Sequence, residues 1–255
     1  MGRVGGKVCI VTGGAMGLGK ADAELLIAEG ARVLLTDINE ELGRETARAL
    51  GPEALFAQHD VRNEQQWQEI VRTAMVHFGR LDVLVNNAGV AEFADIESFT
   101  VEGWRRVYDV SLTGSFLGSQ HVIPAMHLSG GHASIINMSS AAALSGMPLI
   151  PAYSAAKGAL RAMTRHVAAY CMKRGFKIRC NALHPTSMDT PMVAAAVKAM
   201  KDFVPAGQNA NGTRPGSPSE VANAVLYLAS NESRLMNGGA IVIDRGTTIM
   251  EGMAP

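Results

Sequence analysis

Tyr153 and Lys157 stand four residues apart in the segment Pro151-Ala-Tyr-Ser-Ala-Ala-Lys157. On a helix that spacing puts both side chains on one face, one turn apart. An ammonium held beside a phenol favours the phenolate and would draw the tyrosine below its usual value near 10. A tyrosine so placed is an acid/base usable at physiological pH. Ser140 lies upstream, across a loop containing Gly146 and Pro148, which could return its hydroxyl to the same place. The same spacing also arises on ordinary exposed helices, so its meaning depends on what the rest of the chain builds around it.

The first 40 residues hold a second functional pattern. Lys7-Val-Cys-Ile-Val-Thr12 is a short apolar run ending in glycines, as expected of a strand buried on both faces of a parallel sheet. Gly13-Gly-Ala-Met-Gly17-Leu-Gly19 follows, then a helix over 21–29 stopped by Gly30, then a second buried strand, Arg32–Thr36, ending at Asp37. The glycine spacing is GxxxGxG. Glycines there permit a tight turn and close backbone approach to a pyrophosphate at a helix N-terminus. Asp37 falls where a carboxylate accepts from a ribose 2′-hydroxyl and repels a 2′-phosphate. Ile38 and Asn39 supply no arginine for a phosphate, so the pattern favours NAD over NADP.

Further along, the alternation of helix and strand continues. A charged helix spans 40–50, a third strand 54–57, and a helix capped by Asn63 runs to Phe78. The fourth strand, 81–85, ends in Asn86-Asn-Ala-Gly89, an amide pair at the edge where open α/β sheets bind ligands. Thr100 caps a long helix over 101–128 that carries Ser111, and the fifth strand, 134–138, delivers Ser139 and Ser140. The helix with Tyr153 and Lys157 runs from Pro151 to about Arg174, and a sixth strand covers 177–183. Residues 186–217 are the least regular part, with a short helix over 194–200, and read as a lid. Ser219 caps a helix to Ala229, and 239–243 is the seventh strand. There is no internal repeat, low-complexity tract or linker, which points to one domain.

Composition removes several classes of function. Lys+Arg and Asp+Glu both number 23, which argues against a nucleic-acid footprint or an anionic-membrane surface. The three cysteines, Cys9, Cys171 and Cys180, form no CxxC and read as buried thiols in a reducing compartment. No His/Cys/Asp/Glu cluster has metal-ligand spacing. No apolar run approaches the ~20 residues of a membrane span, and no signal peptide is visible, so a cytoplasmic protein is expected.

Taken together, Thr12-Gly13, Gly17, Gly19, Asp60, Asn86-Asn-Ala-Gly89, Ser140, Tyr153, Lys157 and the Pro185–Thr190 loop, in this order, resemble the short-chain dehydrogenase/reductase family over essentially the whole chain. Within that family the segment Asn231–Gly238 and the surroundings of His184 are most similar to bacterial 3β/17β-hydroxysteroid and cyclic-alcohol dehydrogenases. The resemblance implies a doubly wound α/β fold, a single Rossmann-type domain with seven parallel strands and helices on both faces, assembled as a homotetramer or homodimer. It implies Tyr153 as the acid/base, Lys157 as the residue that lowers its pKa and holds the nicotinamide ribose, and Ser140 rather than Ser139 as the group orienting the substrate oxygen. Gly13, Gly17, Leu18 and Gly19 would cradle the pyrophosphate. Asp37 would take the adenosine ribose, and Asp60 and Val61 would flank the adenine. Asn87 and Gly89 would line the cleft and Thr190 contact the carboxamide. Met16, Ile38, Ala88, Pro185, Thr186 and Met188 complete the expected cofactor contacts.

Three positions depart from the family pattern: Ser111 replaces the usual asparagine of the catalytic set, Thr186 replaces a glycine, and Arg245 replaces the first glycine of the last strand's Asp-Gly-Gly. Met147, Ile150, Met188, Met192 and Val193 suggest an apolar substrate pocket, since methionine adapts to hydrophobic ligands. The expected activity is NAD-dependent interconversion of a secondary alcohol and a ketone on a steroid or a cyclic or aryl substrate. Two alternatives stand beside it: a 3-oxoacyl-carrier-protein reductase, and a sensor that binds NAD without turnover.

Overall fold

The computed structural model describes residues 2–200 and 215–249. Seven strands form one all-parallel sheet: β1 (Val8–Thr12), β2 (Arg32–Asp37), β3 (Ala54–Gln58), β4 (Val83–Asn86), β5 (Ala133–Met138), β6 (Ile178–Pro185) and β7 (Ala240–Ile243). Their spatial order is β3-β2-β1-β4-β5-β6-β7. The order reverses between β1 and β4, and open α/β sheets place ligands in the crevice at the carboxyl ends of strands flanking such a reversal. Thr12 and Asn86 end those two strands, so the Gly13 loop and Asn87 meet there.

Side chains of each strand alternate between two cores, as the pleat requires. Val8 and Ile10 join Leu34, Leu84, Ile135 and Cys180 on one face. Helices α3 (Glu64–Phe78), α5 (Gly114–Leu128) and α6 (Pro151–Lys173) cover it. Cys9 and Val11 join Val33, Leu35, Val85 and Ile136 on the other face, under α1 (Gly17–Ala28), α2 (Glu40–Leu50) and α8 (Pro218–Ala229). All three cysteines are buried and free. No described helix is long and apolar enough to cross a membrane.

Asn63 and Thr100 cap α3 and α4 (Val101–Tyr108) through side-chain oxygens that accept from Gln66 N and Gly103 N. Four expectations change. The helix expected from residue 21 starts at Gly17, so the glycine loop is shorter and α1 begins inside it. The cap of α8 is Ser217 rather than Ser219, because Glu220 completes a capping box with Ser217. The long helix over 101–128 is broken: a π-helical turn, Asp109–Thr113, separates α4 from α5. Within the region read as a lid, α7 (Pro191–Met200) starts three residues earlier than expected, and residues 201–214 lie outside the described residues.

Candidate active site

The amino-terminal part of the site is a cradle of backbone. Gly13 and Gly17 take φ of 63° and 57°, a left-handed conformation that L side chains rarely adopt. A Cβ on Gly19 would lie 2.3 Å from the Gly13 carbonyl oxygen. Met16 precedes α1 and provides no side-chain cap. The first N–H groups of the helix are therefore left facing the cleft with the positive end of its dipole, a ready anion site. Asn87 locks the loop from the β4 side: its Nδ2 donates to the carbonyls of Thr12 (2.9 Å) and Gly13 (3.1 Å). Thr12 Oγ1 in turn accepts from Asn87 N and Ala88 N, each at 3.1 Å.

At the carboxyl end of β2, Asp37 accepts from Ala15 N (3.2 Å) and Asn39 N (3.0 Å), which fixes its carboxylate beside the glycine loop. Ile38 points outward and is 67% exposed. Asp60 is engaged by Arg62 through both its oxygens, and that guanidinium holds the carboxyl below its ordinary range. Uncapped N–H groups at the start of α1, a glycine cradle and a carboxylate fixed beside it at the end of β2 fit an adenine dinucleotide.

The carboxyl end of β5 supplies the second half. Ser140 leaves the strand in extended backbone, and its Oγ accepts from Ala142 N at 3.1 Å. Pro151 opens α6, where its missing N–H costs nothing. Tyr153 and Lys157 follow on one face, with Nζ 5.4 Å from the centre of the phenol ring. Lys157 is 2% exposed and donates to the Met138 carbonyl at 2.6 Å. Burial draws its ammonium down to about 8. The expected lowering of Tyr153 does not appear. Burial raises the phenol above its ordinary value, and a hydrogen bond from Ser140 offsets part of that rise. The physical reason is that the enclosure penalises both phenolate and ammonium, while Nζ is aimed at a carbonyl rather than at the phenol oxygen.

One cleft of about 640 Å³ unites these groups. Gly13, Met16, Gly17, Leu18, Asp37, Ile38, Asp60, Val61, Asn87, Ala88 and Gly89 line one end; Ser140, Tyr153, Lys157, Pro185, Thr186, Met188, Thr190 and Met192 line the other. Gly19 and Ser111 do not line the cleft; they lie behind it. Ser111 is fully buried in the π turn, its Oγ has no partner among the described residues, and it lies with Lys157 Nζ within 3.4 Å of where a Gly89 Cβ would be. Met147 and Ile150 are not among the residues that line this cleft: Met147 is 44% exposed and Ile150 is buried just before α6. Val90, Ala91 and Phe93 also line the cleft, unanticipated, although they directly extend the Asn86–Gly89 motif. Arg106 also lines it, held by Glu92 at 2.5 Å, and no sequence signal marked it.

A doubly wound sheet with a dinucleotide cradle at its switch point and a Ser-Tyr-Lys cluster across the cleft defines an α/β nucleotide-dependent oxidoreductase fold. Comparison gives the family. A profile described as enoyl-(acyl carrier protein) reductase matches residues 13–248. The chain is 39% identical over 245 residues to the 3-beta-hydroxysteroid dehydrogenase of Comamonas testosteroni, covering 95% of this chain and 96% of that one. It is 37% identical over 253 residues to the NADP-dependent (R)-specific alcohol dehydrogenase of Lentilactobacillus kefiri, with 96% and 98% covered. To the cyclopentanol dehydrogenase of Comamonas sp. it is 39% identical over 252 residues, with 97% and 99% covered. The chain belongs to the short-chain dehydrogenase/reductase family, whose members use a nicotinamide cofactor.

Proposed function

We propose that this protein interconverts a secondary alcohol and a ketone on an apolar, ring-bearing substrate such as a steroid or a cyclic or aryl ketone, with NAD(H) as cofactor. The observation that carries the reading is the single cleft shared by the glycine cradle with Asp37 and by Ser140, Tyr153 and Lys157. The named relatives, a 3-beta-hydroxysteroid dehydrogenase and a cyclopentanol dehydrogenase, support it.

The bound nicotinamide supplies or accepts the hydride. Everything else falls to the chain. Ser140 and Tyr153 donate to the substrate oxygen as it gains negative charge. Tyr153 gives that oxygen its proton in reduction and takes it back in oxidation. Because burial raises its pKa, the phenol keeps its proton at neutral pH and is ready as a donor, which favours ketone reduction there. Alcohol oxidation needs the phenolate and rises with pH. Lys157 holds the Met138 carbonyl and lends positive charge below about pH 8.

The preference for NAD rests on charge. Asp37 would repel a 2′-phosphate, and Ile38 offers it nothing. The cleft's arginines among the described residues, Arg62 and Arg106, are engaged by Asp60 and Glu92. The acyl-carrier reading draws only on the profile's description: Ala125–Ser134 holds His127 and His132 but no Lys or Arg to meet an acidic carrier.

The test is a panel of steroid, cyclic and aryl ketones assayed by NADH absorbance, with Tyr153→Phe alongside. Turnover of panel members, falling at least about 10²-fold in Tyr153→Phe while NADH still binds, is the expected result. Turnover of none, with NADH bound, would support a sensor that holds NAD without chemistry. Near-native turnover in Tyr153→Phe would remove the tyrosine from its role.

A further inference from the structure

His184, near the end of β6, is fully buried and does not line the cleft. Its Nδ1 lies 3.0 Å from the backbone carbonyl of Ser140. A carbonyl can only accept, so Nδ1 carries the hydrogen and donates. Burial lowers the basicity of the ring, the Ser140 hydrogen bond offsets part of that, and the charges of Arg161 and Lys157 lower it further, which favours the neutral ring. Nε2 is then the bare nitrogen, buried and without a partner among the described residues. An orphaned buried nitrogen is costly, and a leucine there would avoid the cost. What the imidazole provides in return is its other edge.

That edge completes a clamp on three successive residues. Lys157 Nζ donates to Met138 O. Ser139 N donates to Leu183 O at 2.8 Å, and Ser139 Oγ donates to Lys157 O at 2.8 Å. His184 takes the carbonyl of Ser140. Beyond it the chain turns into the short 3-10 helix Ala141–Ala143, which Ser140 caps. Rotation of the Ser140 peptide would carry its hydroxyl away from Tyr153.

We propose that His184 is a positioning residue: its Nδ1–H fixes the Ser140 peptide so that the Ser140 hydroxyl meets both Tyr153 and the substrate oxygen. The inference rests on the roles given above to Ser140 and Tyr153. A displacement of about 1 Å at such a donor can cost on the order of 10²-fold in rate. It also removes the Ser140 hydrogen bond that lowers the tyrosine, so the phenol rises further.

Three variants separate geometry from bulk. His184→Asn places an amide N–H where Nδ1 stands. His184→Gln is the larger amide but puts its donor near Nε2. His184→Leu has no donor. Each is assayed for kcat, KM, NADH binding by fluorescence and the pH profile of kcat/KM for alcohol oxidation, with Tyr153→Phe as control. The expected result is a kcat at least about tenfold lower in His184→Gln and His184→Leu, with the ascending limb moved to higher pH and NADH binding unchanged. His184→Asn should stay within about threefold of the native protein, with its limb unmoved. If His184→Leu does not fold, the Gln and Asn pair decides. His184→Gln at native kcat, or His184→Asn as impaired as His184→Gln, overturns the proposal. An active Tyr153→Phe would instead overturn the reading of the site on which it rests.

Discussion

Replacing Asp22 by asparagine should stabilise the protein more at pH 6 than at pH 4.5. Asp22 sits in α1, fully buried, and neither carboxyl oxygen has a partner among the described residues. Burial alone raises its pKa well above the ordinary 3.8. The folded chain therefore holds a proton that the unfolded chain has released, and stability falls as pH rises from 3.8 towards the folded value. While that difference is one proton, the slope is about 1.36 kcal/mol per pH unit. Over the 1.5 units from pH 4.5 to 6 the native protein can lose at most ~2 kcal/mol through this group, and the asparagine variant loses none of it. The corresponding ceiling on the gain in Tm is about 4–8 °C for a chain of this size. Near pH 4 the two proteins should be nearly equal, since a protonated carboxyl and an amide are both neutral, unpaired and of similar volume. His59 acts in the opposite sense. Burial lowers it from 6.5 to about 4, so it adds stability that is lost as pH falls below 6.5. It is present in both proteins and cancels in their difference. Thermal and urea unfolding of both at the two pH values reads the effect. A gap that is the same at pH 4.5 and pH 6 would show that Asp22 is ionised in the fold, and the argument would fail.

Asp37→Ala combined with Ile38→Arg removes the carboxylate and offers a cation at the ribose. The ratio of kcat/KM for NADPH to that for NADH should rise by at least about tenfold, roughly 1.4 kcal/mol; comparable values for both cofactors in the native protein would undo the reading of Asp37. Gly19→Ala would place a methyl 2.3 Å from the Gly13 carbonyl and 2.6 Å from Asn87 Nδ2. It should weaken NADH binding more than tenfold and cost about 1–3 kcal/mol of stability through overpacking, both measurable by titration and melting. Ser111→Asn should leave kcat/KM equal or higher, since the serine hydroxyl makes no bond that an amide would forfeit; a large loss would give Ser111 a role of its own.

Much of this architecture is written in local patterns. Runs such as Val-Cys-Ile-Val in β1 and Ile-Ile-Asn-Met in β5 are apolar on both sides because both faces of a parallel sheet are covered, so strands and their order in sequence were readable. The cradle was readable because Gly13, Gly17 and Gly19 are demanded by backbone conformation and close approach. The misses share a different cause. Met147 was placed by proximity in sequence to Tyr153, but a loop can turn a side chain outward without any change of composition. Ser219 was expected as the cap of α8, but a serine's type alone does not mark it, and the capping box that Glu220 completes three residues after Ser217 singles out Ser217. The sense of the Tyr153 shift depended on burial and on where Nζ points, and neither is a property of YxxxK spacing. Asp22 carried no signal either, since a lone acid on a helix ordinarily faces water.

The turn Asp109–Thr113 amounts to one surplus residue in what would otherwise be a single α-helix. Each residue advances an α-helix by about 100°, so that insertion fixes the phase between α4 and α5. Deleting one residue from the turn would restore regular hydrogen bonding. It would also swing every side chain of one half around the axis relative to the other. Val107, packed against α6 from one half, and Gly118, against which Asn86 and Trp67 lie, could no longer both be served. Ser111 would leave the side of Lys157. The helix is thus dephased by one residue, and a shortened version would gain regular hydrogen bonds only by losing register with the core it packs against and the cleft that it walls.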